Sequence, residues 1–395
     1  MGGRIMASTI NADTSNGVII TPDTSGEIEL QANGVTKAKV TANGLQDANG
    51  NSLRGGSFRN LIINGDMRIA QRGTSVSGIT SENFYTVDRW RVLVNGGTWT
   101  QTQDTDVPTG QGFGNSVKIL CTTANPSPSA ANVLQIRTRL EGQNLQHLKY
   151  GTASAEKVTF SFWIKSNKTG TYVSELYNAD AAKQVSKLFT INSADTWEKK
   201  TITYDGDTVS GFDNDNGNSL QIGIFLSVGT DYTSGTLQTT WASASNTNRA
   251  VGQVNLADST SNYINITGVQ LEVGEGASDF EHLPYDVQLQ RCQRYYQRDF
   301  RFINGFCYSS TTAIVNIPLK VTMRSSPTLA YTSGASTISI DYIGGTQASS
   351  SNTIAAGGAY SSPYSVSLQL DSLTGRTAWQ GVILTSDTFG LSSEL

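Results

Sequence analysis

SNYINITGVQLEVGEGASDFEHLPYDVQLQRCQRYYQR, residues 261–298, is the stretch that decides the fold. Its first part alternates apolar and polar residues as a half-buried β-strand does, with Ile264 and Ile266 on one face. The next apolar residues fall on the opposite phase: Val269, Leu271 and Val273. A β-bulge at Gly268 accounts for both phases, because glycine accepts the unusual backbone of a bulge. The sequence therefore predicts one long strand whose buried face changes at Gly268.

The second half of this stretch predicts a corner and a helix. Gly274 and Gly276 end the strand, and Pro284 closes the corner. Apolar residues then recur three and four positions apart, as on one face of a helix: Leu289, Cys292 and Tyr296. Asp286 is the predicted N-cap. We interpret the stretch as the closing strand of a large β domain, followed by a connector helix that begins a second domain.

The composition favours an all-β protein with more than one domain. The chain has 395 residues, of which 15% are charged and 37% hydrophobic, and it is rich in glycine, serine, threonine and asparagine. This length suits two or three domains, each with its own core. The formal net charge of −4 offers no basic surface to neutralise phosphates, so nucleic acid is not an expected partner.

The cysteines and the start of the chain indicate assembly in a reducing cytosol. The three cysteines have no metal-binding spacing, and an odd number does not indicate a disulfide framework: Cys121, Cys292 and Cys307. No apolar run follows Arg4, and no later stretch is long enough to span a membrane, so neither a secretory signal nor membrane insertion is expected. Met1 and Met6 both fit as the native start.

The central region has the alternation of a two-sheet sandwich. In residues 88–94 the side chains of Trp90, Val92 and Val94 share one face, while arginines take the other. Residues 219–228 repeat this alternation with five apolar residues predicted to point inward: Leu220, Ile222, Ile224, Leu226 and Val228.

Four segments together resemble a known family. They are residues 60–71 (NLIINGDMRIAQ), 88–92 (DRWRV), 196–204 (TWEKKTITY) and 261–298. In this order they resemble the jelly-roll domain of carbohydrate-binding-module type that is found in tail-fibre and receptor-binding proteins of tailed bacteriophages, over roughly residues 58–298. The resemblance implies a homotrimer whose N-terminus joins the virus particle.

We therefore expect four parts along the chain: an N-terminal virion-attachment and oligomerisation segment (1–57), a jelly roll (58–285), a connector helix (286–299) and a smaller C-terminal β-sandwich (300–395). The first part has few large apolar side chains. Turn signals at Asn33-Gly34 and Asn43-Gly44 separate short alternating runs, and a further run lies at residues 18–20. It is either a module that its partners order or a flexible leader.

Several aromatic residues are candidates for contact with a glycan or receptor. In residues 158–165 the phase places Trp163 on the polar face, where its flat ring suits the C–H face of a sugar. Cover by a loop or a neighbouring subunit is the alternative, and Trp99 is ambiguous in the same way. The loop over residues 231–249 holds Tyr232 and Trp241, either as a binding loop or as a crossover anchored by Trp241.

The C-terminal region adds further candidates on a predicted β-sandwich with long serine- and glycine-rich loops. Its strand-like pieces are residues 313–317, 337–342, 364–370 and 380–385. Four aromatic residues are candidate contacts, and we expect half of them to be core residues: Tyr342, Tyr360, Tyr364 and Trp379.

Two polar clusters have alternative interpretations. Asp213 and Asp215 offer oxygen ligands for a structural calcium ion, which the resembling jelly rolls often carry, but the EF-hand spacing is not met and a plain hairpin turn is the preferred interpretation. Three arginines form a stripe on the connector helix: Arg291, Arg294 and Arg298. They are either a solvated face or an inter-domain or inter-subunit contact that meets Asp279 and Glu281.

The sequence gives little support to catalysis. The two histidines, His147 and His282, lie in no hydrolase motif, and no phosphate-binding loop is present. A pair of carboxylates for glycoside cleavage leaves no spacing signature, so the acids in strand-like segments stay open as candidates: Asp66, Asp88, Glu175 and Glu272. Asp66 and Asp88 belong to the segments that carry the resemblance, where they look structural. We expect no enzymatic activity.

The expected function is that of a phage virion protein, a tail fibre or receptor-binding protein that recognises host-surface polysaccharide through exposed aromatics and polar loops. It would assemble in the host bacterial cytoplasm as a homotrimer and join other virion proteins through its N-terminal segment. The alternatives are a capsid decoration protein, head fibre or structural tail component with the same jelly roll, and a polysaccharide depolymerase.

Overall fold

The computed structural model describes residues 26–41, 44–47, 58–331, 337–342, 344–349, 351–354, 362–385 and 388–395. The predictions for residues 18–20, for Asn43 and for Tyr360 lie outside these ranges. Within them the protein is all-β and has a single α-helix. The fold class predicted from the sequence is confirmed.

The first described sheet is small and antiparallel, with strands β1 Ile28–Ala32, β2 Val35–Thr41 and β3 Gly44–Asp47. Ala32 pairs with Val35, so Asn33 and Gly34 form the predicted two-residue turn, both at positive φ. The larger apolar side chains of this sheet are exposed: Leu30, Val35, Val40 and Leu45. The sheet therefore has no core of its own in the single chain.

The central region is a jelly-roll sandwich. Its strands are β4 Ser75–Ile79, β5 Asn83–Phe84, β6 Arg91–Asn95, β7 Thr98–Asp104, β8 Ser116–Thr123, β9 Val133–Glu141, β10 Val158–Ser166, β11 Gly170–Asn178, β12 Lys183–Ile191, β13 Glu198–Tyr204, β14 Asn218–Val228, β15 Ala242–Ser243 and β16 Tyr263–Val273. One sheet has the order β13-β10-β16-β8-β7-β4, and the other has the order β15-β12-β11-β14-β9-β6-β5. Short 3₁₀ turns lie at Gly142–Asn144, Gln146–Leu148, Thr230–Tyr232, Asn246–Asn248 and Leu256–Asp258.

The core between these sheets confirms most of the predicted inward faces. The alternating residues of β6 and β14 are buried in it, from Trp90 to Val94 and from Leu220 to Leu226. The prediction that Val228 points inward is wrong. The pairing of β14 with β9 shifts register between Phe225 and Ser227, so Val228 packs with Phe225 on the outer face. Trp99, which was ambiguous, is fully buried in the core.

The predicted bulge at Gly268 is confirmed. Ser161 of β10 pairs with Gln270, but Trp163 pairs with Thr267, so one extra residue of β16 is accommodated between them. Gly268 has a φ of +60°. The core residues of β16 change phase at this point, from Ile264 and Ile266 to Val269 and Leu271. The bulge therefore lets one strand bury apolar residues on both sides of the shift.

The connector helix, α1 Tyr285–Gln293, is shorter than predicted. Pro284 occupies the N-cap position, so the prediction of Asp286 as N-cap is wrong. Asp286 lies in the first turn, where a carboxylate stabilises the helix dipole. The helix does not extend to residue 299, because the chain is already extended at Tyr296, in the next strand.

The C-terminal region is a second sandwich of antiparallel strands. They are β17 Tyr296–Arg298, β18 Ile303–Cys307, β19 Ala313–Pro318, β20 Thr328–Tyr331, β21 Ile338–Tyr342, β22 Gly345–Ser349, β23 Ser351–Ile354, β24 Ser365–Asp371, β25 Gly381–Leu384 and β26 Phe389–Ser392. The sheet orders are β17-β26-β20 and β22-β21-β25-β18-β19-β24-β23. Each of the four predicted strand pieces of this region matches a strand to within one residue at either end.

All three cysteines are buried and free. Within the described ranges, no helix is long and apolar enough to cross a membrane.

Candidate functional site

A candidate ligand site surrounds Trp163 on the outer face of the β10 sheet. The neighbours of Trp163 in β10, Phe162 and Ile164, are in the core, so Trp163 points the other way, as its phase predicts. Lys199 of β13 and Thr267 of β16 are its cross-strand neighbours. The indole is half-buried, which leaves part of its surface open.

Gly268 makes the site possible. A Cβ atom at this position would lie 2.5 Å from Cζ of Phe113 and 3.0 Å from Cδ1 of Trp163. The first distance is shorter than real Cβ contacts allow, and a φ of +60° strains any residue with a side chain. The bulge therefore lets Phe113 approach Trp163 across the surface of the sheet.

Three rings form a wall beside Trp163. The ring centroids of Phe113 and Phe280 are 5.1 Å apart in an edge-on arrangement, and His282 lies 4.9 Å from Phe280 and 5.3 Å from Phe113. Such edge-on contacts fix the orientation of the rings relative to one another. Two loops that are distant in sequence thus meet over the sheet.

The walls and the sheet enclose a groove of about 230 Å³. We call it the Trp163 groove. Its lining is mixed, with aromatic rings beside hydroxyl, amide and charged groups: Gly110, Gln111, Phe113, Ser161, Trp163, Lys199, Gly268, Ser278, Asp279, Phe280 and His282. Lys199 and Asp279 contribute opposite charges, so the groove favours a ligand without a large net charge.

The loop after β16 is held to the sheet by a buried carboxylate. Glu272 accepts hydrogen bonds from the backbone N–H of Ser278 (2.8 Å), from its hydroxyl (2.6 Å) and from Gln270 (2.8 Å). The side-chain oxygen of Gln270 accepts from the N–H of Glu281 at 2.9 Å. These bonds place Asp279 and the aromatic wall before any ligand arrives, which lowers the entropy cost of binding.

The opposite loop is anchored by Asp106. Its carboxylate pairs with Lys165 at 2.7 Å and accepts from the indole N–H of Trp197 at 3.0 Å. Partial burial acts to raise the pKa of Asp106, but the hydrogen bonds from Lys165 and Trp197 outweigh it, so the pKa is lower than usual. Thr267 also donates to the carbonyl of Asn115 at 2.7 Å. Both walls of the groove are therefore fixed by side-chain contacts.

The loop candidates Tyr232 and Trp241 lie elsewhere. Tyr232 packs on the outer face of the other sheet beside Phe225, with ring centroids 6.2 Å apart. The indole N–H of Trp241 donates to the carbonyl of Asp205 at 2.7 Å, and its ring meets Tyr150 edge-on. Trp241 therefore has the anchoring role, which was the alternative considered from the sequence.

The C-terminal candidates are spread over the second sandwich. Tyr342 is half-buried and the Arg376 guanidinium lies 3.4 Å from its ring centroid. Tyr364 and Trp379 are 69% and 76% exposed, and Trp379 stacks on Phe306 with centroids 5.5 Å apart. These residues line no part of the Trp163 groove.

The arginine stripe separates into three environments. Arg294 forms two hydrogen bonds of 2.7 Å with Glu141, the buried end of β9, so it joins the helix to the jelly roll. Its acidic partner is Glu141, and not Asp279 or Glu281, which were the acids considered for an inter-domain contact. The guanidinium of Arg298 donates to the carbonyl of Gln71 at 2.8 Å. Arg291 lies over the ring of Phe58 at 6.0 Å.

The structure places Asp213 and Asp215, the candidate calcium ligands, in the turn before β14. Asp215 accepts from the N–H of Gly217 at 2.7 Å within a turn, and Asn216 of the same turn donates to the carbonyl of Arg324 at 2.6 Å. In the part of the chain that the structure describes, no group of three or more histidine, cysteine or acidic side chains could hold a metal ion. The turn instead connects the two sandwiches.

The acids considered for glycoside cleavage have structural partners. Asp66 pairs with Arg68 at 2.9 Å, and Asp88 lies 3.5 Å from Arg72. Glu175 forms a two-pronged pair with Arg249, at 2.7 and 2.6 Å. Glu272 holds the loop of Ser278, as described above. These four carboxylates are all buried, and none of them lines the Trp163 groove.

Sequence reasoning identified Trp163 but missed Phe113, Gln111 and Lys199. Phe113 lies in the segment PTGQGFGN, residues 108–115, where it is the lone aromatic among glycines. An aromatic residue in such a loop cannot reach a core on its own strand, and this is the signal that could have marked it. Lys199 could have been found from its place opposite Trp163 in the adjacent strand.

Comparisons with known proteins give low similarities. No protein-family model and no curated protein matches the sequence. Among solved structures, the enzymatically active domain of Bacteriophage CBA120 tailspike protein 4 has a TM-score of 0.30 and 12% identity, over 54% of this chain and 21% of that chain. TmCBM61 in complex with β-1,4-galactotriose has a TM-score of 0.29 and 9% identity, over 54% and 99% of the two chains.

A third structure is the family 11 carbohydrate-binding module from Clostridium thermocellum in complex with a mixed-linked tetrasaccharide. Its TM-score is 0.24 and its identity 14%, over 53% of this chain and 98% of that chain. The chain thus spans about a fifth of the tailspike domain, 21% of its length. Similarities of this size do not indicate the function of the chain.

Proposed function

We propose that this protein binds polysaccharide, without cleaving it, in the Trp163 groove. The observation that carries the proposal is the half-buried Trp163, which is held on the outer face of the sheet by the Gly268 bulge between two anchored loops. A sugar ring offers an apolar C–H face to an aromatic ring and hydroxyl groups around its edge. The groove offers matching partners in Gln111, Lys199 and Asp279.

The absence of enzymatic activity is part of this proposal. Each of the four acids considered above lies beside an arginine or accepts hydrogen bonds from a loop, and none of the four lines the groove. An inverting or retaining glycosidase needs two carboxyl groups facing the same glycosidic bond. Asp279 is the one carboxylate in the lining of the groove, which does not supply such a pair.

We further propose that the protein is a phage tail fibre or receptor-binding protein that recognises host-surface polysaccharide as a homotrimer. The resemblance of four sequence segments supports this role. The exposed apolar side chains of the first sheet, such as Leu30 and Val35, also support it, because they would be buried against other copies or other virion proteins. Weak groove sites become strong when several act together.

The binding proposal is tested with an array of bacterial capsular and O-antigen polysaccharides. We expect the full chain to bind at least one of them, and Trp163→Ala to weaken this binding by about tenfold or more. Tyr308→Ala is the control, because Tyr308 is 63% exposed and does not line the groove. Equal binding by wild type and Trp163→Ala would refute the proposal.

Two further measurements separate the alternative roles. Gold-labelled antibody on whole virions is expected on the tail; label on the capsid would mean a decoration protein or head fibre. The bound polysaccharide is expected to keep its length on incubation with the protein, and shortening of the polymer would identify a depolymerase.

A further inference from the structure

A cavity beside the connector helix lies apart from the Trp163 groove. Its volume is about 380 Å³, which is within the range of small-molecule sites. We call it the Arg291 cavity. Three parts of the chain form its walls: the start of the jelly roll, the turns after β9 and the end of α1. The wall residues that bear on its chemistry are Phe58, Leu61, Asn144, His147, Arg291 and Arg294.

Arg291 has no acidic partner. Its guanidinium forms neither an ion pair nor a hydrogen bond with any of the described residues. Glu281 is near enough to attract it, but the Glu281 carboxylate accepts hydrogen bonds from the backbone N–H groups of Phe58 (2.5 Å) and Asn60 (2.9 Å). The charge of Arg291 is therefore unmatched in the part of the chain that the structure describes.

Arg294 shows what an acidic partner does for an arginine on this helix. It donates to Glu141 through Nε and Nη2, both at 2.7 Å, and these hydrogen bonds raise its pKa. Burial instead lowers the pKa of Arg291, because nearby groups only partly offset the loss of water around its charge. The helix dipole offsets a part of this cost, since Arg291 lies in the last turn of α1. An anion bound at Arg291 would offset more of it.

One edge of the Arg291 guanidinium is open to the cavity. Nη1 is buried without a hydrogen-bond partner, so a ligand cannot reach it. Nε and Nη2 are not buried in this way, and Arg291 as a whole is half-buried and lines the cavity. In Arg294 the same two atoms form the fork that binds the carboxylate of Glu141. Arg291 thus offers to a ligand the edge that Arg294 uses for a carboxylate.

The surroundings of this edge select an anion with one negative charge. Arg294 is neutralised by Glu141, so the unmatched positive charge in the wall is that of Arg291. Phosphate is bound by backbone N–H groups at the start of a helix, whereas Arg291 lies in the last turn of α1. A planar carboxylate, with two oxygens and a single charge, matches the fork of Nε and Nη2.

The rest of the wall suits the carbon skeleton of an acid. The ring of Phe58 is 58% exposed, and the Arg291 guanidinium lies 6.0 Å from its centroid. Leu61 is half-buried, and Asn144 and His147 are exposed and add polar groups to the wall. An acidic side chain of a partner protein would occupy only part of about 380 Å³. A free acid with a ring or a short carbon chain is the better fit.

We propose that the Arg291 cavity binds a small monocarboxylic acid, whose carboxylate accepts hydrogen bonds from Nε and Nη2 of Arg291 and whose carbon skeleton lies against Phe58. This site does not depend on the proposed function, because the Arg291 cavity and the Trp163 groove share no lining residue. A bound acid contacts both the connector helix and the start of the jelly roll, so it joins the two.

Saturation-transfer NMR on the full chain tests this site with three acids and their neutral counterparts. The pairs are benzoate with benzamide, glucuronate with methyl glucoside, and lactate with lactamide, each at about 10 mM, which detects millimolar dissociation constants. We expect saturation of at least one acid and none of its neutral counterpart. Inorganic phosphate at the same concentration is expected not to displace the acid.

Two variants of Arg291 separate charge from geometry. Arg291→Gln removes the charge and is expected to weaken acid binding about tenfold or more, while Arg291→Lys keeps the charge without the fork and should have an intermediate effect. Lys149→Gln is the control, because Lys149 is a cation with 54% of its side chain exposed and lies outside the lining. Circular dichroism shows which variants are folded. Asn144→Trp, which fills the cavity from an exposed position, serves as a second variant.

The outcomes distinguish this inference from the proposed function. It would be overturned if no acid bound to the wild type, if phosphate displaced the acid, or if folded Arg291→Gln bound the acid as wild type does. A signal lost in Trp163→Ala but kept in Arg291→Gln would place the acid in the Trp163 groove and would also overturn it. Acid binding that depends on Arg291, while no polysaccharide binds at Trp163, would support the Arg291 cavity and reject the proposed function.

Discussion

Arg89 and Glu394 form a buried ion pair across 305 residues of sequence. Arg89 lies in residues 88–92, the second of the four segments that carry the family resemblance. Its side chain is 1% exposed, and that of Glu394 is 7% exposed. The Arg89 guanidinium also lies 3.5 Å from the ring centroid of Tyr295. Glu394 pairs in addition with Arg72 at 3.1 Å. The end of the second sandwich is thereby held in the first.

Glu394→Gln is expected to destabilise the protein by roughly 3 kcal/mol, because it removes the carboxylate that pairs with the buried guanidinium of Arg89 and leaves Arg72 with Asp88 alone. Urea unfolding followed by tryptophan fluorescence measures this loss. Glu156→Gln is the control, since the pair of Glu156 with Lys149 is 36% and 54% exposed and should contribute less than about 1 kcal/mol. Equal losses for the two variants would contradict a special role of the Arg89 pair.

Gly268→Ala is expected to cost more than its backbone strain alone. The new Cβ would meet Phe113 at 2.5 Å, so the aromatic wall must move and glycan binding should weaken as well. Gly78→Ala is the matched control: its φ is +71°, and no atom lies within 4 Å of the added Cβ. We expect about 1–2 kcal/mol for Gly78→Ala and a clearly larger loss for Gly268→Ala. Similar losses would mean that Phe113 does not pack on Gly268.

Asp88 makes stability depend on pH in an unusual direction. Burial raises its pKa from 3.8 to about 6, against the opposing effects of Arg72 and of hydrogen bonds from Gln71. The folded protein therefore binds this proton more tightly than the unfolded chain does. The contribution of Asp88 to stability is fully present below pH 3.8 and is lost as the pH rises through about 6.

Asp88→Asn removes this titration. The difference in unfolding free energy between wild type and variant should change by up to roughly 3 kcal/mol between pH 4 and pH 7, with wild type relatively more stable at pH 4. Urea unfolding of both proteins at the two pH values checks this. Parallel pH profiles would show that Asp88 keeps an ordinary pKa in the folded protein.

The sequence predicted those features that follow from the period of apolar residues. The out-of-phase halves of residues 261–298 predicted the Gly268 bulge, and the phase of β10 predicted that Trp163 faces away from the core. The bulge in β14 was missed and the face of Val228 was wrong, because no glycine marks that shift. The end of the connector helix was wrong because Tyr296 fits both a helical spacing and a buried strand position.

The sequence did not show which distant segments contact each other. Phe113 reaches Trp163 only because two loops meet over one sheet, and its strand neighbours do not show this. The acids considered as partners of the arginine stripe are close to Arg294 in sequence, but its partner Glu141 is 153 residues away. The cavity that Arg72 and Tyr331 line between the two sandwiches likewise depends on how they pack, which no local pattern specifies.

The most direct test of the central claim follows the indole N–H signals of the six tryptophans during titration with a polysaccharide that the protein binds. The Trp163 signal is identified as the one missing from Trp163→Phe. We expect this signal to shift most, while those of the buried Trp90 and Trp99 stay in place. An unchanged Trp163 signal, with a shift confined to Trp379 on the second sandwich, would contradict glycan binding in the Trp163 groove.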